Sequence, residues 1–132
     1  MEGSMAHTLQ QHLDARRIQL SSAPAGSGTF IIPKADPTIL PRWVNDYRQL
    51  NSNTITDSFP IPRINDILMD IATEKIFGNI DMTNSFFQTC MHPDDVKLTA
   101  VNMPWGLYEW VVMPMGIKNV PAIQQRRVTD AL

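Results

Sequence analysis

Lys75-Ile76-Phe77-Gly78-Asn79-Ile80-Asp81-Met82-Thr83-Asn84-Ser85-Phe86-Phe87 is the stretch on which the architecture of this chain turns. Its first six residues are apolar and β-prone, so they predict a strand that delivers Asp81 to its end, and an aromatic pair follows. A carboxylate so placed is either a metal ligand or the cap of the next turn, for which Thr83 and Asn84 supply suitable chemistry. Strand-end carboxylates that hold Mg²⁺ for phosphoryl transfer come in sets, because the ion is hard and octahedral and needs its charge neutralised. No obvious second carboxylate of that kind follows before Leu132.

Upstream, Pro60-Ile61-Pro62 leads into Ile64, Ile67, Leu68 and Ile71, a helical stripe with Pro62 suited to the first helical position. Phe30-Ile31-Ile32 and Arg42-Trp43-Val44-Asn45 predict a hairpin with Lys34 and Arg42 near its tip, and Tyr47 to Asn53 a turn or single helical turn. Leu9, Leu13 and Ile18 predict an amphipathic helix from His7 to Ile18. Ser21 to Gly28 is a connecting loop without the Gly-Lys-Ser/Thr ending of a phosphate cradle. Downstream, Asn84 to Gln88 reads as a short turn or helix. Leu98 to Met103 and Leu107 to Met113 form a hairpin about Pro104-Trp105-Gly106, and a last helix starts near Asn119 with Pro121 early in it.

At 132 residues the chain is one domain in length, and its 43% hydrophobic content suits a single core. Net charge is −2 and the pI near 5.8, so bulk electrostatics do not favour nucleic acid, and any phosphate site must be local. One cysteine, Cys90, and no secretory signal or apolar span point to an intracellular, reducing setting away from membranes. Eight methionines read as core filler.

Lys34 and Arg42 are either a phosphate clamp, in which Arg offers a planar fork and Lys a point charge, or ordinary solvated edge charges. Pro93-Asp94-Asp95 is most simply a turn. Cys90-Met91-His92 lacks the second Cys or His pair of a structural zinc site. His7 and His12 are five apart and read as surface residues.

Taken in order, several blocks resemble one family, the reverse transcriptases of retroviruses and in particular of gypsy-type long-terminal-repeat retrotransposons. They are Ser22-Ala23-Pro24-Ala25-Gly26, Ile32-Pro33-Lys34-Ala35-Asp36, Val44-Asn45-Asp46-Tyr47-Arg48-Gln49-Leu50-Asn51, Phe59-Pro60-Ile61-Pro62-Arg63-Ile64, Ile80-Asp81-Met82-Thr83-Asn84-Ser85-Phe86-Phe87-Gln88, Lys97-Leu98-Thr99-Ala100, and Tyr108-Glu109-Trp110-Val111-Val112-Met113-Pro114-Met115-Gly116 with Pro121-Ala122.

The resemblance implies an α+β fold of short β-hairpins packed with three or four helices. Residues 1–5 are a flexible start, 6–80 a fingers-like region leading into a palm, and 81–132 a partial palm with the remaining fingers hairpin and helix. It implies that Asp81 is the first catalytic carboxylate, that Asp81 and Met82 hold Mg²⁺ (or Mn²⁺), and that Lys34 and Arg42 grip the triphosphate of a dNTP. Phe86 is then the aromatic under the sugar, and Met115, Gly116 and Gln125 lie about the same pocket. Template-primer RNA and DNA are the implied partners. The family's second carboxylate motif, thumb and ribonuclease H domain have no counterpart here, so the chain is expected not to polymerise alone. Pro41, Asn84, Val101 and Gln124 depart from the family pattern. Apolar faces at Val111-Val112-Met113 and from Ile64 to Ile71, left without partners, predict self-association.

Overall fold

The structure, a computed structural model, describes residues 2–132. Its elements in chain order are α1 (Glu2–Asp14), β1 (Ile18–Leu20), β2 (Gly28–Ile32), β3 (Arg42–Asp46), α2 (Arg48–Ser52), α3 (Ile64–Ala72), β4 (Val101–Met103), β5 (Gly106–Trp110) and α4 (Val120–Ala131). Two 3₁₀ turns, Ser85–Gln88 and Val96–Thr99, stand between α3 and β4.

Helix α1 begins inside the segment expected as a flexible start. Met5, Leu9 and Leu13 recur at helical spacing and pack on the core, which orders this end. The helix stops earlier than the periodicity predicts, so Ile18 opens β1 instead of closing α1. The stop is a Schellman motif. Arg16 adopts the left-handed conformation with φ of 55°, its N–H bonds Leu13 O at 3.0 Å, and the Arg17 N–H bonds His12 O at 2.9 Å. An arginine holds the place usually taken by glycine, so the sequence carries no visible stop signal there.

The main sheet is antiparallel with strand order β1-β5-β4, and Ile18 faces Trp110 while Val101 faces Tyr108. The second sheet is the β2–β3 hairpin, in register from Gly28 opposite Asp46 to Ile32 opposite Arg42. Asn102 ties the sheets together. Its amide N–H donates to Ser27 O at 2.8 Å, its side chain donates to Gly26 O at 2.8 Å, and its carbonyl accepts from Thr29 Oγ1 at 2.7 Å. The core comprises Leu9 of α1, Ile18, Val101, Met103, Tyr108 and Trp110 of the main sheet, and Tyr47.

Two apolar segments behave differently from expectation. Lys75–Ile80 forms no strand: no described residue pairs with it, and Ile76, Phe77 and Ile80 are exposed. Strand propensity is realised only against a neighbouring strand, so a β-prone run without one stays unpaired. Conversely, Val111-Val112-Met113 is not an open face, because Met113 is buried, Val112 packs on the core and Cys90 bridges Val112. Helix α3 forms as its periodicity predicts but starts at Ile64: Arg63 is extended and holds the N-cap, which leaves Pro62 outside the helix instead of at its first position, and none of the helix residues is buried. Among the described residues no helix is long and apolar enough to cross a membrane.

Candidate nucleotide-binding site

Between α1, the β2–β3 hairpin and the turn after β5 lies a cavity of about 430 Å³. Its lining includes Lys34, just beyond β2, Arg42, at the start of β3, and Met115 and Gly116 in the turn. Hairpin register explains the first pair, since Ile32 opposite Arg42 sets Lys34 close to the tip on the same side of the molecule. Both cations are exposed, and neither takes part in an ion pair among the described residues.

The turn is built for close approach. Gly116 has φ of +99°, a conformation that other residues reach only with strain. Asn51 braces it from α2: its side-chain amide donates to Gly116 O at 2.8 Å and its side-chain oxygen accepts from the Lys118 N–H at 2.8 Å. Asn51 closes the block from Val44 to Asn51, so that block joins the hairpin to the turn.

Four of the anticipated nucleotide-binding residues therefore share one cavity, and two do not reach it. Gln125 lies on α4 and donates to Thr129 Oγ1 at 3.3 Å. Phe86 sits half-buried in the 3₁₀ turn, while its neighbour Phe87 lines the cavity wall. Asp81 is exposed and makes no side-chain hydrogen bond among the described residues. It does not cap the turn that follows, whose N-cap is Asn84, left-handed with φ of 48° and without a side-chain cap bond.

No group of three His, Cys, Asp or Glu side chains able to hold a metal ion occurs among the described residues. Asp81 and Met82, the two ligands expected from the sequence, do not by themselves make up an octahedral Mg²⁺ site.

The inner wall was not anticipated. His12, expected at the surface, lines the cavity with Thr8, Trp43, Phe87 and Trp110. Burial, aided by the charge of Arg17, lowers its pKa from 6.5 to about 4, so the imidazole is neutral at neutral pH. Its spacing from His7 carried no hint of this, because the rings around it come from three distant segments.

The chain resembles two sets of known proteins. It is 36% identical over 135 residues to the retrovirus-related Pol polyprotein from transposon opus of Drosophila melanogaster, a match covering all of this chain and 14% of that protein. The corresponding polyprotein from transposon 297 is 34% identical over 134 residues, with 13% of its length covered. Polyprotein P3 of Commelina yellow mottle virus is 41% identical over 89 residues, 67% of this chain. The chain thus corresponds to a short part of these polyproteins. Among solved structures, the foamy viral protease-reverse transcriptase in complex with dsDNA superposes with a TM-score of 0.82 at 21% identity, over 99% of this chain and 27% of that one. The fold is accordingly the fingers and first part of the palm. With the family model for reverse transcriptase (RNA-dependent DNA polymerase) matching residues 32–132, the chain belongs to that family.

Proposed function

We propose that this chain is the nucleotide-gripping part of a gypsy-type retroelement polymerase, its cavity receiving the triphosphate of an incoming dNTP. The observation that carries this reading is the convergence of Lys34, Arg42, Met115 and Gly116 on one cavity from segments far apart in sequence. Phosphoryl transfer is governed largely by positioning and charge, and two unpaired cations at the mouth of a turn-walled cavity suit a polyphosphate. The two fly transposon relatives support the gypsy-type assignment. Phe86 faces the sugar in this reading and Gln125 the template side. Asp81 with the Met82 carbonyl contributes to a Mg²⁺ or Mn²⁺ site that needs further carboxylates, so the chain by itself does not turn over. The foamy viral neighbours bound to dsDNA and to RNA/DNA hybrid support a template-primer partner.

Primer extension on an RNA template tests the catalytic part. We expect no synthesis from the pure chain with either metal; robust synthesis, abolished by Asp81→Asn, would overturn it. A dATP titration tests the grip: Lys34→Ala and Arg42→Ala should each weaken binding by about tenfold, the loss of one charge-assisted contact.

A second reading rests on the unpartnered apolar surface. Ile64 is 74%, Leu68 57% and Ile76 92% exposed. We propose that this surface drives self-association of the chain. Light scattering should then show dimers or larger species, and a monodisperse monomer at high concentration removes the reading.

A further inference from the structure

Four segments meet at one side chain. The His12 ring lies 5.3 Å from Trp43 of β3, 5.5 Å from Phe87 of the 3₁₀ turn and 4.9 Å from Trp110 of β5. All three separations fall within the range of favourable aromatic pairs. Phe87 is held from two further sides. It stacks on Trp110 at 5.5 Å with an interplanar angle of 15°, and the Arg17 guanidinium sits 4.9 Å from its centroid. Arg17 Nη1 also reaches His12 Nδ1 at 3.5 Å.

Two of these rings belong to residues next in sequence to the proposed nucleotide contacts. Trp43 follows Arg42, and Phe87 follows Phe86. Adjacent side chains on a strand point to opposite faces, so fixing the Trp43 ring fixes the roll of β3 and the direction in which Arg42 leaves it. Phe86 and Phe87 share a single 3₁₀ turn, so the same constraint reaches Phe86. We propose that His12 is a positioning residue that fixes Arg42 and Phe86 relative to each other by packing between their neighbours Trp43 and Phe87. This inference rests on the nucleotide reading of the cavity given above.

The choice of histidine adds a dependence on pH. The charged groups around the ring are all cationic: Arg17 beside it, and Lys34 and Arg42 from the hairpin, in a cavity lining that contains no carboxylate. Glu109 on β5 is engaged elsewhere, accepting from Gln19 at 2.9 Å and Ser21 at 2.6 Å. A proton on His12 would put a second positive charge beside Arg17 on a ring largely withdrawn from water, and the cost of that desolvation would loosen the junction.

The test is a dATP titration of the full chain and of the variants Lys34→Ala, His12→Ala and His12→Phe, with folding checked by near-ultraviolet circular dichroism. We expect His12→Ala to weaken dATP by about fivefold, the loss of roughly one aromatic pair. His12→Phe, which keeps a ring, should stay within about twofold. The ratio of wild-type to His12→Phe affinity cancels protonation of the triphosphate itself. That ratio should fall by a factor approaching about two between about pH 7 and about pH 4, where half of the His12 rings carry a proton, a change that a purely structural side chain would not produce. No dATP binding by the wild-type chain overturns both readings. Binding weakened about tenfold by Lys34→Ala but changed less than about twofold by His12→Ala, or a flat ratio across the titration, overturns this inference alone.

Discussion

Tyr47→Phe should destabilise the chain by about 2 kcal/mol through one lost hydrogen bond. The Tyr47 ring is 2% exposed, and its hydroxyl donates to Thr99 O at 2.8 Å. Thr99 is itself fully buried, and its side-chain oxygen receives the Trp110 N–H at 2.8 Å while its hydroxyl donates to Val96 O at 2.6 Å. The carbonyl has no other donor among the described residues. Removing the phenol oxygen therefore leaves a buried carbonyl unsatisfied, a penalty of about 1–3 kcal/mol, while the volume lost is too small to add a cavity term of that size. Tyr108 supplies the control: it is also buried in the core, yet its hydroxyl makes no hydrogen bond among the described residues. Tyr108→Phe should cost under about 0.5 kcal/mol. Equilibrium urea unfolding of both variants gives the answer, with the slope unchanged and the midpoint lowered only for Tyr47→Phe. Equal losses in the two variants, or a loss under about 0.5 kcal/mol for Tyr47→Phe, would refute the reasoning.

Arg16→Gly should raise stability by about 0.5–1 kcal/mol, because the left-handed φ of 55° costs an arginine and not a glycine; the urea midpoint shows the sign. Gly26→Ala should lower it by about 1–2 kcal/mol, since an added Cβ meets the Leu107 side chain and, at 3.3 Å, the Ala100 carbonyl; thermal unfolding reads the loss. Stability should also depend on pH through His12. With a folded pKa of about 4 below its unfolded 6.5, the unfolded chain takes the proton first as pH falls. His12 therefore leaves stability untouched above pH 6.5, erodes it between 6.5 and 4, and adds no further loss below, for a total of about 2 kcal/mol after allowance for partial exposure. The difference between wild type and His12→Phe across that range measures it.

The elements most legible in the sequence are those whose signals are local. The β2–β3 hairpin is written in two apolar runs separated by Pro33, Pro37 and Pro41, and α3 in its spacing of isoleucines. The errors arise where a local signal needs a partner or a substitute fills a familiar role. Lys75–Ile80 has the composition of a strand, but pairing is a property of two segments. The end of α1 depends on a backbone conformation that Arg16 adopts without advertising it.

The cavity divides along the same line. Each of its outer residues belongs to a short motif whose backbone purpose is local: Lys34 and Arg42 flank a hairpin tip, and Gly116 holds a turn that tolerates little else. Ordered blocks are therefore enough to find them. The inner wall has no such motif, because His12, Trp43, Phe87 and Trp110 acquire their meaning only when a helix, a hairpin, a 3₁₀ turn and a sheet strand are folded together. Taken singly, an imidazole on an amphipathic helix reads as solvent-facing and an aromatic on a strand reads as core. Their juxtaposition makes the wall a junction, and a junction transmits position. A change at His12 is thus expected to reach Arg42 and Phe86 together, whereas a change at Lys34 stays where it is made.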